Sequence, residues 1–452
     1  MAIPDKHKNR YIFHFTDLEN LDSIIKNGLL CTNIKNKKGI KHKNIANMTI
    51  QERRANMDVP IGPGGKVHDY VPFYFSSINP MLLTLLNQKN VDQNRIIYLC
   101  IKIKRLDNND AVFTNASANT MEPPTFYEDT SFLDDLEWEL IESRKWNVGT
   151  DENKHKKMAE ALIHNKVNIS EIDAIVVYNE SSKSLVQKIF ARNNVTPPTI
   201  LYDNNSLMKK YGFYYTKFFI KGQENETLVT GPLMLLSNYK GLIKTIKKQR
   251  QNKKDNYPYS TLFDLVQAIE KDISVILELK NIVGLLQDYP PHNDTVDDHT
   301  KKVVAEMKET PYFKNASDER KNILLLAAYL HDMGKGPKEK WKDGKMTRAY
   351  LDHPADAIPM LARILTEEIE SLSEEEIRLV CMLVVFHDIV GDCMEKGREK
   401  QQVVNVIENE DDLDMLFAIS CADAKAVTGV WGLGILCRQK SFKEAIIQMK
   451  QL

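Results

Sequence analysis

The spacing of apolar residues changes near residue 225, and this change constrains the fold more than any other feature of the chain. Before that point, short runs of β-branched and aromatic residues alternate with helical stretches. After it, apolar residues recur at helical spacing and strand signals are few. A chain of 452 residues is also long enough for two or three domains. The sequence therefore predicts a multidomain protein, with an α+β domain at 1–222, a helical connector at 223–284 and an all-α domain at 285–452.

The same patterns predict individual elements. Strands are expected in the first region at 11–15, 71–75, 96–103, 172–178 and 214–220. A short helix is expected to end at Gly28, because this glycine follows the last periodic apolar residue of the segment. The Pro290-Pro291 pair is expected to interrupt the helical pattern. Helices are predicted at 261–287, 297–308, 319–333, 355–370, 373–388, 411–426 and 441–451.

Composition excludes some classes of protein. The formal net charge is −1, so the chain as a whole is not a basic nucleic-acid binder, yet residues 33–57 carry many lysines and arginines against one acid. That stretch suits either a phosphate backbone or a solvated loop. The six cysteines form no Cys-x-x-Cys pair, which argues against a disulfide framework and a thiolate metal site. With no apolar run of membrane-spanning or signal-peptide length, a cytoplasmic location is expected.

Histidine and aspartate residues recur through the last third of the chain, at separations that place each group on its own element. Imidazole and carboxylate donors without cysteine suit a divalent ion that activates water against phosphorus. Adjacent residues on a regular helix point about 100° apart, so a His-Asp doublet needs a distorted helix end, which Gly334 could allow. The predicted ligands are His299, His331, Asp332, His353, His387 and Asp423.

These donors are enough for one or two ions. A first ion would be held by two imidazoles and two carboxylates, from His299, His331, Asp332 and Asp423. A second would take His353 and His387, with Asp332 as the bridge; Asp388 is left as a spare. Lys335 would face the same cavity as a phosphate-binding cation. Two of the histidines have ordinary alternatives, since His353 precedes a proline and could cap a helix, and His387 could be a core histidine.

The order His, His-Asp, His, His, Asp, with HDMGK (331–335) in the middle, resembles the HD-domain family of metal-dependent phosphohydrolases. The resemblance covers about residues 285–440. It implies an all-α HD-domain bundle, hydrolysis of phosphate mono- or diesters, and one or two divalent metal ions. Imidazole–carboxylate sites accept several metals, so Mn, Fe, Ni, Co, Zn and Mg all stay open. The Gly-Tyr-Pro signature of cyclic-dinucleotide enzymes is absent, so that substrate is not expected.

A second set of motifs lies in the first 180 residues. The segment YIFHFTDLENLDSIIKNGLL (11–30) places His14 and Thr16 at a strand end, before a helix. The segment QERR supplies Arg54, and GGKVHDYVPFYF (64–75) ends in an aromatic strand that contains Tyr74. Further along, Glu160 precedes an apolar run. Each signal is weak alone, since all of these residues occur in ordinary α+β domains. No Gly-x-Gly-x-x-Gly follows a strand, so a Rossmann site is not predicted.

Together with INPM (78–81) and WELIESRKW (138–146), these segments resemble the DarT family, NAD-dependent ADP-ribosyltransferases that modify bases of single-stranded DNA. The resemblance covers about residues 10–180 and implies NAD as a substrate. By resemblance, His14 and Thr16 would bind the nicotinamide end of NAD and Tyr74 would lie in an aromatic wall. Arg54 would anchor phosphate or stabilise developing charge. Glu160 would be the catalytic glutamate.

The two resemblances predict a toxin-like DNA ADP-ribosyltransferase fused to a metal-dependent phosphohydrolase. Single-stranded DNA and an antitoxin are the expected partners, and Trp138 and Trp146 could stack on DNA or pack in the core. In an alternative interpretation, only the HD domain is an enzyme, and the N-terminal domain is a nucleotide or nucleic-acid binding module. The sequence leaves open the acceptor base, the HD substrate, the oligomeric state, and whether the second domain restrains or reverses the first.

Overall fold

The structure, a computed structural model, divides the chain into two compact units. The first contains residues 1–87 and 91–218, and the second contains residues 88–90 and 219–452. The predicted boundary between 222 and 223 lies outside the described residues, and the separate connector stays a prediction. The described residues are 2–43, 45, 48–120, 122–143, 145, 148–202, 218–219, 226–227, 230–252 and 256–451.

The first unit is built on a mixed eight-stranded sheet with the strand order β10-β9-β4-β1-β3-β7-β5-β6. Neighbouring strands are antiparallel except β9 and β10, which are parallel. A separate antiparallel pair joins β2 and β8. The strands are β1 Tyr11–Asp17, β2 Leu29–Leu30, β3 Tyr70–Tyr74, β4 Ile96–Lys102, β5 Ala111–Thr114, β6 Phe126–Tyr127, β7 Glu160–His164, β8 Lys166–Val167, β9 Ala174–Val176 and β10 Thr199–Leu201.

The predicted strands at 11–15, 71–75, 96–103 and 172–178 are confirmed, with the last reduced to Ala174–Val176. Of the predicted strand 214–220, Phe218–Phe219 (β11) is a strand and pairs with Glu226–Thr227 (β12), and the remaining positions lie outside the described residues. The helix expected before Gly28 is also confirmed. It covers Leu21–Asn27, and Gly28 follows it with φ 82°, a left-handed conformation that glycine adopts without strain.

Helices of the first unit cover the sheet. They are α1 Leu21–Asn27, α2 Thr32–Lys37, α3 Met48–Asn56, α4 Pro80–Asn87, α5 Trp138–Glu142, α6 Asp151–Lys157 and α7 Glu180–Arg192. Apolar side chains from α1 and α7 join the main core of the sheet. Side chains alternate between the two faces of a strand, so Ala161 and Ile163 of β7 enter this core while Leu162 enters a smaller cluster. Glu160 therefore lies on the Leu162 side of β7.

Pro72 interrupts the sheet between β1 and β3. Within these two fully described strands, the register pairs only Phe13 with Tyr74. Proline has no N–H to donate to a neighbouring strand, so the ladder cannot continue at Pro72. Its carbonyl instead accepts a hydrogen bond from the His14 side chain, with 2.7 Å between Nδ1 and the oxygen. Backbone pairing between β1 and β3 therefore does not continue beside His14, one of the predicted site residues.

The second unit is mainly helical around one large apolar core. Short parallel strand pairs join β13 (Tyr259–Thr261) to β16 (Ile369–Ser371) and β14 (Leu286–Gln287) to β15 (Lys345–Met346). Among the described residues, no helix is both long and apolar enough to cross a bilayer. The helices are α8 Pro232–Asn252, α9 Leu262–Lys271, α10 Leu277–Lys280, α11 Val296–Glu309, α12 Pro311–Asn315, α13 Asp318–Leu330, α14 His353–Glu367, α15 Glu374–Val385, α16 Ile389–Gly391, α17 Gln401–Val406, α18 Glu410–Val427 and α19 Gly429–Lys450.

The continuous helix predicted at 261–287 is wrong. The segment contains α9, a 3₁₀ turn at Ile273–Val275, the short α10 and strand β14. Asp272 ends α9 with an extended backbone, and its side chain accepts a hydrogen bond from the Ser274 N–H. Apolar periodicity alone does not detect this stop, because aspartate stabilises a turn through its own side chain. The other predicted helices are present with boundaries shifted by a few residues, except that the helix predicted at 441–451 begins much earlier, at Gly429.

Candidate active sites of the two units

The first unit has a cavity of about 560 Å³, a size typical of pockets for small molecules. Residues from β1, β3 and α3 line it, together with α2 and the segment that follows it. His14, Thr16, Arg54 and Tyr74, predicted from separate motifs, all lie on its wall. The Phe15 and Tyr74 rings stack with their centroids 6.0 Å apart. The cavity therefore brings together four of the five side chains singled out in this half of the sequence.

His14 is a half-buried, neutral imidazole. Its Nδ1 faces the Pro72 carbonyl, which can only accept a hydrogen bond, so Nδ1 carries the proton and Nε2 has a free lone pair. Burial lowers the pKa of His14 to about 4, and the hydrogen bond to Pro72 only partly opposes that shift. His14 therefore presents an acceptor at neutral pH, suited to a hydroxyl or amide N–H of a ligand.

Glu160, the fifth predicted side chain, lies behind Arg54. It is fully buried and does not itself line the cavity. Arg54 donates two hydrogen bonds to it, Nη1 to Oε1 at 2.7 Å and Nη2 to Oε2 at 2.9 Å. Oε1 also accepts the Ala118 N–H at 2.8 Å. Burial alone lowers the pKa of Arg54, but the adjacent Glu160 carboxylate raises it, and the net direction is upward. The pair is thus a bidentate ion pair at the rear of the cavity.

Sequence reasoning assigned no role to two further groups, one that contacts Glu160 and one in the segment that leads into it. The Ala118 contribution comes from a backbone N–H, which no residue-type pattern reveals. Lys157 is buried and donates to the carbonyls of Leu140, Ile141 and Ser143, with its shortest contact at 2.6 Å. It thereby fastens the C-terminal end of α5 to the segment that leads into Glu160. Burial lowers the pKa of Lys157 to about 8.

The tryptophans predicted as stacking candidates have different outcomes. Trp138 packs in the unit: its Nε1 donates to the Leu133 carbonyl at 2.6 Å, and its ring stacks on His7 with centroids 4.7 Å apart. Its ring also meets the edge of Phe75. Core packing therefore explains Trp138, while Trp146 lies outside the described residues.

In the second unit, the predicted metal ligands converge on one place. Three sets of donors have ligand atoms close enough to share an ion: His299, His331 and Asp332; Asp332, His353 and His387; and His387, Asp388 and Asp423. The closest cross-helix contacts are 2.9 Å between His299 Nε2 and Asp423 Oδ1, and 3.1 Å between the Nε2 atoms of His353 and His387. Asp332 is shared by the first two sets, the position expected of a bridge.

Three of these histidines are oriented by backbone carbonyls. The Nδ1 atoms of His331, His353 and His387 lie 2.8, 2.6 and 2.8 Å from the carbonyls of Ala328, Tyr350 and Val384, each three residues earlier. A carbonyl cannot donate, so each Nδ1 is protonated and each Nε2 offers a lone pair to the cluster. This is the arrangement by which proteins orient histidine ligands of a metal. His353 and His387 therefore both direct Nε2 toward the cluster.

The cluster fits a divalent cation. His331 Nε2 is buried and has no hydrogen-bond partner within the part of the chain that the structure describes. The Nε2 lone pairs of His353 and His387 face each other at 3.1 Å, which is repulsive unless a proton or a cation lies near both. The buried carboxylate of Asp332 and the partly exposed carboxylates of Asp388 and Asp423 complete the donor set.

Two predictions about single residues need revision. Asp388 is not a spare, because its carboxylate lies 3.4 Å from His387 Nε2 and 3.6 Å from His353 Nε2. Lys335 does reach the cluster, but its Nζ is already bound, 2.6 Å from Asp332 Oδ2 and 2.9 Å from Gln287 Oε1. A phosphate would have to share this ammonium with Asp332.

Gly334 has a different function from the one predicted. Helix α13 ends at Leu330, before the His331-Asp332 doublet, and Gly334 belongs to a 3₁₀ turn that follows. A Cβ at position 334 would lie 1.9 Å from the His353 carbonyl oxygen and 2.9 Å from the Ala357 nitrogen. Glycine is therefore required so that this turn can contact the start of α14, which carries His353.

We expect Gly334→Ala to destabilise the second unit by about 1–3 kcal/mol or more, because the clash is with backbone atoms that cannot move aside. The free energy of unfolding in urea measures this. Gly391→Ala is the control, since a Cβ there meets only Ile435 Cδ1, at 3.8 Å. Equal stability of the two variants would show that the turn tolerates a side chain.

Comparison with known proteins explains the first unit. The sequence profile of the family described as ssDNA thymidine ADP-ribosyltransferase, DarT, matches residues 13–208. A DNA ADP-ribosyl transferase of Escherichia coli O127:H6 (strain E2348/69 / EPEC) is 30% identical over 192 residues, 40% of this chain and 87% of that protein. Another from Thermus sp. (strain 2.9) is 32% identical over 183 residues, 39% of this chain and 86% of that protein. The chain belongs to the DarT family.

A solved structure also resembles the DarT-family unit. Thermus sp. 2.9 DarT in complex with ADP-ribosylated ssDNA aligns with 29% identity over 45% of this chain and 98% of that chain, with a TM-score of 0.40. The profile match contains all five side chains predicted for the first site, from His14 to Glu160, and it ends before the second unit. The DarT resemblance is thus confirmed. The HD-domain resemblance of the second unit stays a prediction.

Proposed function

We propose that the first unit transfers ADP-ribose from NAD to a base of single-stranded DNA. The acceptor is thymidine, the nucleoside named in the family description. The observation that carries this proposal is the buried Arg54–Glu160 pair at the rear of the cavity lined by His14, Thr16 and Tyr74. Mass spectrometry of an oligonucleotide incubated with the protein and NAD tests it, because the mass and position of an adduct report both the reaction and the acceptor.

The geometry suits that chemistry. Transfer breaks the bond between nicotinamide and ribose and forms a bond from the same ribose carbon to the base, while the base nitrogen loses its proton. Positive charge develops on the ribose, and a buried carboxylate nearby stabilises it. Glu160 can also take the proton of the base. Both of its oxygens are bound by Arg54, so this role requires Arg54 to release one of them.

The low pKa of His14 leads to a prediction of how NAD affinity depends on pH. Because burial lowers its pKa to about 4, His14 does not titrate between about pH 6 and pH 8, and NAD affinity should not change through this residue. An unfolded histidine titrates near 6.5, so the stabilisation from burying the neutral ring is lost as pH falls from there toward 4. Calorimetric titration with NAD at several pH values measures the affinity. A step near pH 6.5 that disappears in His14→Gln would contradict the assignment.

For the second unit we propose a metal-dependent phosphohydrolase of the HD type. His299, His331, Asp332, His353, His387 and Asp423 would hold one or two divalent ions, with Asp388 as an additional ligand. A bound ion would polarise a phosphoryl oxygen and lower the pKa of a water molecule. The protein's own part is to fix the donors through backbone carbonyls and to place the Lys335 ammonium beside Asp332. Metal analysis of the purified protein, followed by assays on phosphate mono- and diesters, tests this.

The alternative, in which the first unit only binds nucleotides or nucleic acid, gives a different result with NAD. It predicts no release of nicotinamide on incubation with NAD and single-stranded DNA, whereas the proposed transferase releases one nicotinamide per adduct. Family membership favours the transferase. By the same likeness we propose that the protein acts as a toxin in a toxin–antitoxin or phage-defence system, with an activity that the second unit restrains or reverses.

A further inference from the structure

The lysine and arginine side chains of the first cavity differ in how their charges are balanced. Three of them line it: Lys35, Lys43 and Arg54. Arg54 is neutralised by Glu160, and Lys43 by Asp17, with 2.7 Å between Nζ and Oδ2. Lys35 has no ion-pair partner among the described residues. Glu52 also lines the cavity, but it is exposed and forms no ion pair with Lys35. Among the described residues, Lys35 therefore brings to the cavity a positive charge that no ion pair balances.

The position of Lys35 is fixed by its backbone. It lies in α2, where its N–H donates to the Cys31 carbonyl and its carbonyl accepts the Ile40 N–H. Its positive charge contributes to lowering the pKa of His14, of His42 and of His68, which all line the same cavity. The ammonium is thus close enough to influence all three of these histidines. A half-buried charge without a partner is costly in the free protein and is typical of a site that receives an opposite charge.

Arg54 differs from Lys35 because it already pairs with a carboxylate. The sequence suggested that its guanidinium anchors phosphate, but Nη1 and Nη2 each donate to a Glu160 oxygen, and Nη1 is also 3.5 Å from the Ala118 carbonyl. A phosphate that replaced Glu160 at these two N–H groups would break the ion pair, while the other N–H groups of the guanidinium are separate donors. The ammonium of Lys35 can bind an anion without breaking an ion pair to any described residue.

We propose that the Lys35 ammonium binds the pyrophosphate of NAD. This inference rests on the proposed NAD-binding function and adds a specific contact to it. The interaction is a charge-assisted hydrogen bond from Nζ to a phosphate oxygen. It requires no covalent step.

The test compares two ligands that differ in the pyrophosphate. ADP-ribose contains it, and nicotinamide riboside does not. We expect Lys35→Gln to weaken ADP-ribose and NAD binding about tenfold to a hundredfold, the range for a hydrogen bond to a charged group. Affinity for nicotinamide riboside should be unchanged. Lys35→Arg, which keeps the charge, should bind ADP-ribose more tightly than Lys35→Gln. Calorimetry on the 452-residue chain measures the affinities for NAD, ADP-ribose and nicotinamide riboside.

Lys37→Gln is the matched control, because Lys37 belongs to the same helix but is exposed and does not line the cavity. It should bind ADP-ribose as the wild-type protein does. Unchanged ADP-ribose affinity in Lys35→Gln, or an equal loss for nicotinamide riboside, would overturn the assignment; the second result would indicate a structural role. If the wild-type protein binds neither NAD nor ADP-ribose, the proposed function fails together with this inference.

Discussion

Replacing Glu160 by glutamine is expected to reduce transfer of ADP-ribose to DNA by about 10²- to 10⁴-fold, the contribution typical of a general base. Glutamine preserves the size of the side chain and can still accept the Ala118 N–H. It cannot take a proton from a base or stabilise a positive ribose. Incorporation of label from NAD into an oligonucleotide measures the loss. Labelling at the wild-type rate would remove Glu160 from the mechanism.

The same substitution has a structural cost that must be separated from the chemical one. Arg54 is 7% exposed, and without Glu160 its charge is buried and unpaired, which costs about 3–5 kcal/mol of stability. The double variant Arg54→Gln/Glu160→Gln removes both charges and should recover most of that stability. It should nevertheless stay inactive. An exposed glutamate nearby, in Glu152→Gln, provides the matched control for transfer.

The second large effect is expected in the other unit. His331→Ala should remove most of the bound metal and, with it, hydrolysis of phosphate esters. His331 is fully buried, and its Nε2, which has no hydrogen-bond partner among the described residues, lies 3.3 Å from Asp332 Oδ2 and 3.8 Å from Asp423 Oδ1. Removing this nitrogen ligand should lower the metal affinity by more than the 10- to 100-fold that follows removal of a hydrogen-bond partner behind a ligand.

Metal content, measured by mass spectrometry of the purified protein, gives a readout independent of hydrolysis. His164→Ala, in the first unit, is the control for a lost imidazole outside the cluster. A His331→Ala protein that retains its metal and its hydrolytic activity would exclude the proposed site. Retained metal without hydrolysis would instead show that His331 contacts the substrate and not the ion.

The sequence predicts the local parts of this molecule well. Gly28 ends its helix as expected, because a left-handed residue after a periodic segment depends only on neighbouring residues. The spacing of apolar residues along the sequence likewise distinguishes the sheet-based unit from the helical one. Each predicted metal ligand lies at a helix end or on a helix face, where its position along the chain determines the direction of its side chain.

Contacts between distant segments could not be predicted in this way. The Arg54–Glu160 pair joins positions 106 residues apart, a contact that no local pattern of residues reveals. Asp388 was underestimated because its distance from His353 depends on how α14 packs beside the end of α15. Gly334 was misinterpreted for the same reason, since the atom that excludes a side chain belongs to another helix.

The backbone anchors of the three histidines in the second unit have a consequence for mutagenesis. In many metalloproteins, an aspartate or glutamate behind the imidazole sets its tilt, and changing that acid loosens the ion. Here the tilt of His331, His353 and His387 is set by peptide oxygens one turn earlier, which no side-chain replacement deletes. Substitution of nearby aspartates and glutamates should therefore leave the orientation of these three rings unchanged. Only substitutions that bend the helix ends should alter it.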